Sequence, residues 1–319
     1  MILPSVTIVM AIYKPNIKWL EEQLQSLNEQ KYENLQLLVW NDCPNDSNHE
    51  EVFSKYITKF PYKIIKGKIN LGSNGAFGEL TKLADTDYIA YCDQDDIWMP
   101  EKIGVLVTKA LKTKADLVCS DMYVIDADSN VVADSILKVR PHQIFYTGNK
   151  LFEYLLTKNF VTGCTTLVKY DIAKKALPFP KYTVHDWWLA LYTSIHGKLV
   201  TVKQPLIKYR IHGNNQTGIL GGVESKTTYY EKRILFYLNK NNELYDRLQS
   251  SNVSNVIKKS LQWGKYRKAY FNNFTIKNLY NMWNYRKINK NTTYFEIAMK
   301  FLPEFLFKYL IQLIKTGKL

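Results

Sequence analysis

The chain has 319 residues, 46% of them hydrophobic and 23% charged. That length and apolar share support a sizeable core and exclude a disordered or fibrous polypeptide. The net charge of +14 is uneven: from Val223 onward 18 Lys and Arg stand against 6 Asp and Glu, so nearly all the excess lies in the last third.

In chain order, "SVTIVMA" reads as a first strand and "NIKWLEEQLQSLNEQ" as a helix with its apolar stripe at Ile17, Leu20, Leu24 and Leu27. "LQLLVWND" is a second strand. "DSNHEEVFSKYITKF" is a helix opened by an Asp/Ser cap, and "YKIIKG" is a third strand. "AFGELTKLAD" gives a third helix, "DYIAYCD" a fourth strand, and "PEKIGVLVTKALKTK" a helix with Pro100 in its first turn. "ADLVCSDMYVID" completes the series as a fifth strand. Such alternation, with near-continuous apolar strands, predicts an α/β fold whose mostly parallel sheet is covered on both faces. Ligands of such sheets bind beyond the carboxyl ends of the strands, so the clusters "NDCPND", "NLGSNG" and "DQDD" should meet along one edge.

The boundary is expected at "GILGG", giving a catalytic domain over 1–222 and a basic, aromatic-rich helical region over 223–319. The tail "YFEIAMKFLPEFLFKYLIQLIKTGKL" suits either an anionic membrane surface or packing on the core; Glu304 and Lys308 interrupt it too early for a spanning helix. The cysteines Cys43, Cys92, Cys119 and Cys164 are far apart and follow no metal-ligand spacing. With an apolar start that lacks a basic leader, they point to a reducing cytosol.

In this order, "TIVMAIYKPN", "WNDCPNDS", "NLGSNGA", "DQDD" and "HDWW" resemble the family 2 glycosyltransferases over roughly 5–222, and "CDQDDIWMPEKI" and "YRIHGNNQTG" resemble the bacterial rhamnosyltransferases among them. The resemblance implies a glycosyltransferase A fold and an inverting, metal-dependent transfer of a sugar from a nucleotide. The donor it implies is dTDP-L-rhamnose, with a UDP-hexose or UDP-N-acetylhexosamine as the alternative. The acceptor would be a lipid-linked cell-surface polysaccharide precursor, reached by a peripheral protein at the inner face of the cell membrane.

Carried onto this chain, Asp95 becomes the ligand of a Mg²⁺ or Mn²⁺ ion, with His212 joining it. Carboxylate oxygens are the hard donors these cations prefer, and the cation offsets the charge of a leaving diphosphate. Asp93 would face the ribose or the metal, and Asp96 is either a third ligand or a helix cap. Nucleotide-sugar contacts fall on Ala11, Tyr13, Asn41, Asp42, Asn70, Gly72, Gln94 and Arg210, the last because a guanidinium fork suits phosphate. "NDCPNDS" equally supplies an Asx turn. Asp186 is the expected base, with His185 as its rival. Gly163, Trp187 and Trp188 line the acceptor side, unless the tryptophans belong to the core. Asn215 and Gln216 complete the polar loop. A nucleotidyltransferase is disfavoured because "AIYKPN" lacks a glycine-rich loop. The Lys/Tyr-rich "QWGKYRKAYFNNF" carries no RNA-binding signature, so no nucleic-acid partner is expected.

Overall fold

β-branched and other apolar residues dominate the strand Val6–Ile12 (β1), and all but Ala11 are buried, so this strand lies at the centre of a sheet. The computed structural model describes residues 3–45, 49–212 and 220–315. The chain divides into two compact units, Met1–Gly213 and Asn214–Leu319, a division that falls ahead of the "GILGG" segment.

In the first unit β1 is followed by Leu35–Asn41 (β2), Tyr62–Lys66 (β3), Tyr88–Cys92 (β4), Ile97–Trp98 (β5), Leu117–Ile125 (β6), Val131–Ala133 (β7), Thr166–Lys169 (β8) and Leu199–Arg210 (β9). The helices are Ile17–Asn28 (α1), Glu50–Tyr56 (α2), Gly72–Leu83 (α3), Lys102–Thr113 (α4), Ile136–Val139 (α5), Phe152–Thr157 (α6), Tyr170–Lys175 (α7) and His185–His196 (α8). The sheet runs β3-β2-β1-β4-β8-β6-β9-β5, with β7 paired to β6. β1 to β4 are mutually parallel, and β6 pairs parallel with β9. The expected parallel sheet is therefore present, but β8 enters antiparallel between β4 and β6 and separates the fourth and fifth predicted strands. Its four-residue length and its place within "GCTTLVK" give it no periodic signal.

Two helix starts differ from the sequence reading. α3 begins at Gly72, four residues early, because the Asp42 carboxylate at the end of β2 accepts the amides of Leu71 and Gly72, both at 2.8 Å, and so satisfies donors the helix would leave orphaned. α2 begins at Glu50 after His49 with no side-chain cap, and the expected cap at Asp46 and Ser47 lies outside the described residues. All four cysteines are buried free thiols.

The second unit is helical: Lys226–Tyr229 (α9), a π-helical turn Tyr230–Leu235, Phe236–Leu248 (α10), Ser254–Asn272 (α11), Ile276–Asn284 (α12), Lys290–Met299 (α13) and Glu304–Lys315 (α14). Phe307 and Ile311 of α14 join Val223, Tyr229, Ile234 and Met299 in its core. No helix among the described residues is long and apolar enough to cross a membrane. Within this unit the Arg267 guanidinium is buried against Glu296, its Nε 3.1 and 2.9 Å from the two carboxylate oxygens and its Nη2 2.5 Å from Oε1. The Tyr229 hydroxyl donates to the same Oε1 at 3.0 Å. A buried ion pair is strongly destabilised when one partner alone is removed. Glu296→Gln should therefore lower unfolding free energy in urea by about 3 kcal/mol or more, whereas the paired change Arg267→Met with Glu296→Leu should recover most of it; a Glu296→Gln loss below about 1 kcal/mol would show that the pair does not hold this core.

Candidate active site

At the carboxyl ends of β1, β2 and β4 the predicted polar clusters do meet. The Tyr13 amide donates to Gln94 Oε1 at 2.8 Å, and Gln94 Nε2 returns a bond to the Tyr13 carbonyl at 3.2 Å, stitching the end of β1 to the loop after β4. Ala11 is half-buried beside Trp40 in the β1–β2 register, and Tyr13 is exposed. Asn41 forms the Asx turn, its Oδ1 accepting the Cys43 amide at 3.0 Å. Asp42 is buried and also accepts the Trp40 indole N–H at 3.2 Å. Asn70 is exposed and accepts the Gly72 amide at 2.9 Å. Gly72 itself has a φ of +67°, which glycine adopts without strain.

Three carboxylates follow within four residues. Asp95 stands half-buried with its Oδ2 3.0 Å from His212 Nε2, so the two residues paired by sequence are paired in space. Asp96 is fully buried. One oxygen accepts the Arg210 amide at 2.9 Å, and Oδ2 has no hydrogen-bond partner among the described residues. It does not cap α4, whose N-cap residue is Glu101. Asp93, Asp96 and Cys164 bring potential ligand atoms within 4.8 Å of one another. Burial and the charges of Asp95 and Asp186 push the Asp93 carboxyl up to about 7, and burial with the charges of Asp95 and Asp93 pushes Asp96 well above the usual range. Hard oxygens, an orphaned buried carboxylate oxygen and mutual repulsion fit a divalent cation here.

Lys102 was not legible from the sequence as part of the site. It is fully buried, its Nζ donates to the Cys164 carbonyl at 2.5 Å and lies 3.1 Å from the Trp98 ring centre. Burial brings its ammonium down to about 7, against the opposing pull of Cys164, Cys92, Asp96 and Asp93. It is the buried amine that sits among the acids and Cys164.

Arg210 is placed differently from the expectation of a diphosphate contact. Its side chain has no exposure: Nε donates to the Asp95 carbonyl at 2.7 Å, Nη1 to Ser129 Oγ at 2.9 Å and to the Asp126 carbonyl at 3.1 Å, and Nη2 pairs with Glu22 at 2.6 Å. A fork so engaged holds the Asp95 backbone and has no face for phosphate. Trp19 of α1 packs on the same assembly, 4.8 Å from the His212 ring. Asn215 and Gln216 lie outside the described residues.

Opposite the acids, α8 begins at His185. Asp186 Oδ2 accepts the Gly163 amide at 3.0 Å, and Oδ1 accepts the Trp187 amide. Burial raises its carboxyl to about 6 despite those two bonds and the Arg140 charge. His185 is excluded as a base. Its ring is buried 4.2 Å from Phe77 and 5.2 Å from Tyr91, neither nitrogen has a partner among the described residues, and burial drives its pKa down to about 3. Gly163 is required by close approach, since a Cβ there would come 2.7 Å from His185 Nε2. Trp188 is a core residue, buried and donating to the Ala176 carbonyl at 2.7 Å, which removes it from the acceptor side. Trp187 is half-buried and anchored on the Leu155 carbonyl at 2.5 Å.

The loop before α8 is held by Asn74 of α3. Its Nδ2 donates to the carbonyls of Pro180 and Thr183, both at 2.8 Å, and its Oδ1 accepts the His185 amide at 2.7 Å.

The carboxyl-end edge of this α/β sheet, where such folds bind ligands, therefore carries clustered carboxylates together with the raised carboxyl of Asp186. The profile described as glycosyl transferase family 2 matches residues 7–177, and the chain belongs to that family and is a glycosyltransferase. Among similar proteins, the dTDP-rhamnosyl transferase RfbG of Shigella flexneri is 26% identical over 211 residues, 63% of this chain and 71% of that protein. The UDP-Glc:alpha-D-GlcNAc-diphosphoundecaprenol beta-1,3-glucosyltransferase WfgD of Escherichia coli is 27% identical over 186 residues, 58% and 68% of the two chains. The fold is that of S. aureus TarS 1–349, solved with UDP-GlcNAc (TM-score 0.58, 13% identity, 93% of this chain and 88% of that one). The mannosyltransferase PcManGT of Pyrobaculum calidifontis, solved with GDP-Man and Mn²⁺, also matches (TM-score 0.52, 12% identity, 89% and 74%).

Because Asn74 fixes the loop that leads into α8, Asn74→Ala should lower kcat by about 10 to 100-fold while leaving nucleotide affinity within about twofold, as expected when the start of α8 is displaced rather than removed. Steady-state kinetics beside nucleotide titration measures the split, and an unchanged kcat would remove Asn74 from the positioning set.

Proposed function

We propose that the protein is an inverting glycosyltransferase that moves a sugar from a nucleotide onto a lipid-linked saccharide in cell-surface polysaccharide synthesis. The observation that carries this reading is the raised Asp186 carboxyl, held by the Gly163 amide across from the acid cluster at the end of β4. Asp186 takes the proton of an acceptor hydroxyl, the hydroxyl oxygen forms a bond to the anomeric carbon, and the bond from that carbon to the diphosphate oxygen breaks on the opposite face. One displacement inverts the anomeric centre and needs no covalent enzyme intermediate.

Asp95 and His212, with Asp93 and Asp96 beside them, would hold Mg²⁺ or Mn²⁺, which supplies charge stabilisation to the leaving diphosphate when bound. Asp42 and Asn41 remain the proposed base contacts. Asp42 uses three acceptor positions on protein donors and its carboxylate has about four. Ala11, Tyr13, Asn70, Gly72 and Gln94 would line the nucleoside and ribose, Asp93 the ribose or the cation, and Gly163 with Trp187 the acceptor side. Arg210 acts through Asp95 as a positioning residue.

Similarity to RfbG supports dTDP-L-rhamnose as donor, and similarity to WfgD supports a UDP-hexose as the second reading and a diphosphate-linked lipid acceptor. Such an acceptor would place the protein in the cytoplasm, peripheral at the inner face of the membrane. A thermal-shift screen of nucleotide sugars with and without Mn²⁺ tests the donor, since a ligand bound to the native state alone raises the transition by mass action; a chain that responds to no nucleotide sugar in either condition would sink the reading.

Burial raises the Asp186 pKa to about 6, and a base must be unprotonated, so kcat/KM should fall as pH drops through about 6 and level off above it. Asp186→Asn should lose about 10²- to 10⁴-fold in kcat with nucleotide binding intact, and its residual rate should lack that acid limb. Asp95→Asn should abolish turnover in Mg²⁺ or Mn²⁺. A fully active Asp95 variant removes the metal assignment, and a pH profile shared by wild type and Asp186→Asn removes the base.

A further inference from the structure

We propose that the second unit docks on an anionic lipid bilayer through an aromatic ridge formed by α12 and the corner between α13 and α14. This deepens the peripheral location proposed above, and it is tested without any transfer assay. On α12, Ile276, Tyr280 and Trp283 recur at helical spacing and point outward, Ile276 being 82% exposed, while Met282 faces the core and is fully buried. On α14, Phe307 and Ile311 are buried, whereas Phe305 and Tyr309, one turn apart, are 69% and 58% exposed. Aromatic contacts link the α12 segment to the α13 segment. Phe274, just before α12, meets Phe301, just after α13, edge-on at 5.2 Å between ring centres, and Trp283 meets Tyr294 of α13 at 5.8 Å.

Exposed aromatics that meet one another between neighbouring helices, rather than standing singly, mark an interaction surface. Its chemistry selects the occupant. Exposed Lys277 and Lys308 sit on the same two helices, and Lys287 and Lys290 lie between α12 and α13 and at the start of α13. The unit carries the chain's cationic surplus. Aromatic and aliphatic side chains flanked by lysine suit the headgroup boundary of an anionic leaflet. A second copy of this chain would bring the same positive charge to the contact and repel it. With no helix among the described residues able to span, the ridge would lie on the surface.

The test is flotation of the full chain with vesicles of phosphatidylcholine alone and with added phosphatidylglycerol, compared with the variant Phe301→Ser, Phe305→Ser, Tyr309→Ser and with Lys277→Glu, Lys308→Glu. These positions are exposed, so the unfolding midpoint should stay at the wild-type value, and that measurement verifies folding. Wild type should float with phosphatidylglycerol vesicles and not with phosphatidylcholine alone, and either variant should lose at least about tenfold in partitioning. Equal partitioning of folded variants and wild type would overturn the proposal, as would absence of binding to anionic vesicles. A wild-type dimer that the aromatic variant converts to monomer would overturn it in favour of self-association, and RNA binding lost in that variant without vesicle binding would do so in favour of nucleic acid.

Discussion

Mutual repulsion among Asp93, Asp95 and Asp96 is the constraint around which the cleft is organised. Three acids in four residues at the buried end of β4 cannot all be ionised in an apolar setting without compensation. The chain supplies it from three directions. Lys102 reaches in from the first turn of α4, the Arg210 amide binds Asp96 from β9, and the Arg210 guanidinium clamps the Asp95 carbonyl. What this frame leaves unmet is one oxygen of Asp96 and the raised carboxyl of Asp93, and those are the groups a cation relieves. Protein charges stabilise the site's geometry without neutralising it.

The second side of the cleft depends on α3. Asp42 satisfies the first amides of that helix from β2, and two turns of chemistry follow from its placement: Gly72 adopts the left-handed conformation the turn needs, and Asn74 projects from the helix start to tie down the loop before α8. Asp186 then meets the Gly163 amide at the closest approach that a glycine permits. The end of β2 and the start of α8 thus share one helix N-terminus, which couples the position of Asp186 to the end of β2.

The alternation of strands and helices through β6 was legible because each is a local periodicity, and "DQDD", "NDCPND" and "NLGSNG" were placed on one edge by the rule for parallel sheets. What escaped was set by facing and burial. Arg210 has the chemistry of a phosphate ligand, but β9 turns it inward beneath Glu22 and Ser129, residues far off in sequence. His185 and Trp188 carry functional-looking groups, yet the helix phase that presents Asp186 to the cleft sends both of them into aromatic and aliphatic packing. Lys102 reads as one more surface lysine in "PEKIG" until α4 is seen to start against the acids. Periodicity identifies an element, but the orientation of its first turn comes from contacts that no window of sequence contains.

The second unit shows the same principle at the level of charge. Its cationic surplus reads as a uniform property of composition, but the structure sorts it into two kinds. Arg267 and Lys240 are buried, the first fixed by Glu296 and stacked 4.5 Å from the Trp263 ring, the second with its ammonium brought down to about 7 by burial beside Arg267. Lys277 and Lys308 stay in water on helices whose inner faces are already occupied. The tail that was read as suiting either an anionic membrane surface or the core does pack on the unit's core through Phe307 and Ile311, and it leaves Phe305 and Tyr309 exposed. Burying the inward stripe stabilises the helix by roughly 1.5 to 3 kcal/mol per large side chain, which leaves the outward stripe under no folding constraint to be aromatic. Its composition is then not accounted for by the unit's own core, and the neighbouring lysines are what make an anionic surface the proposed occupant.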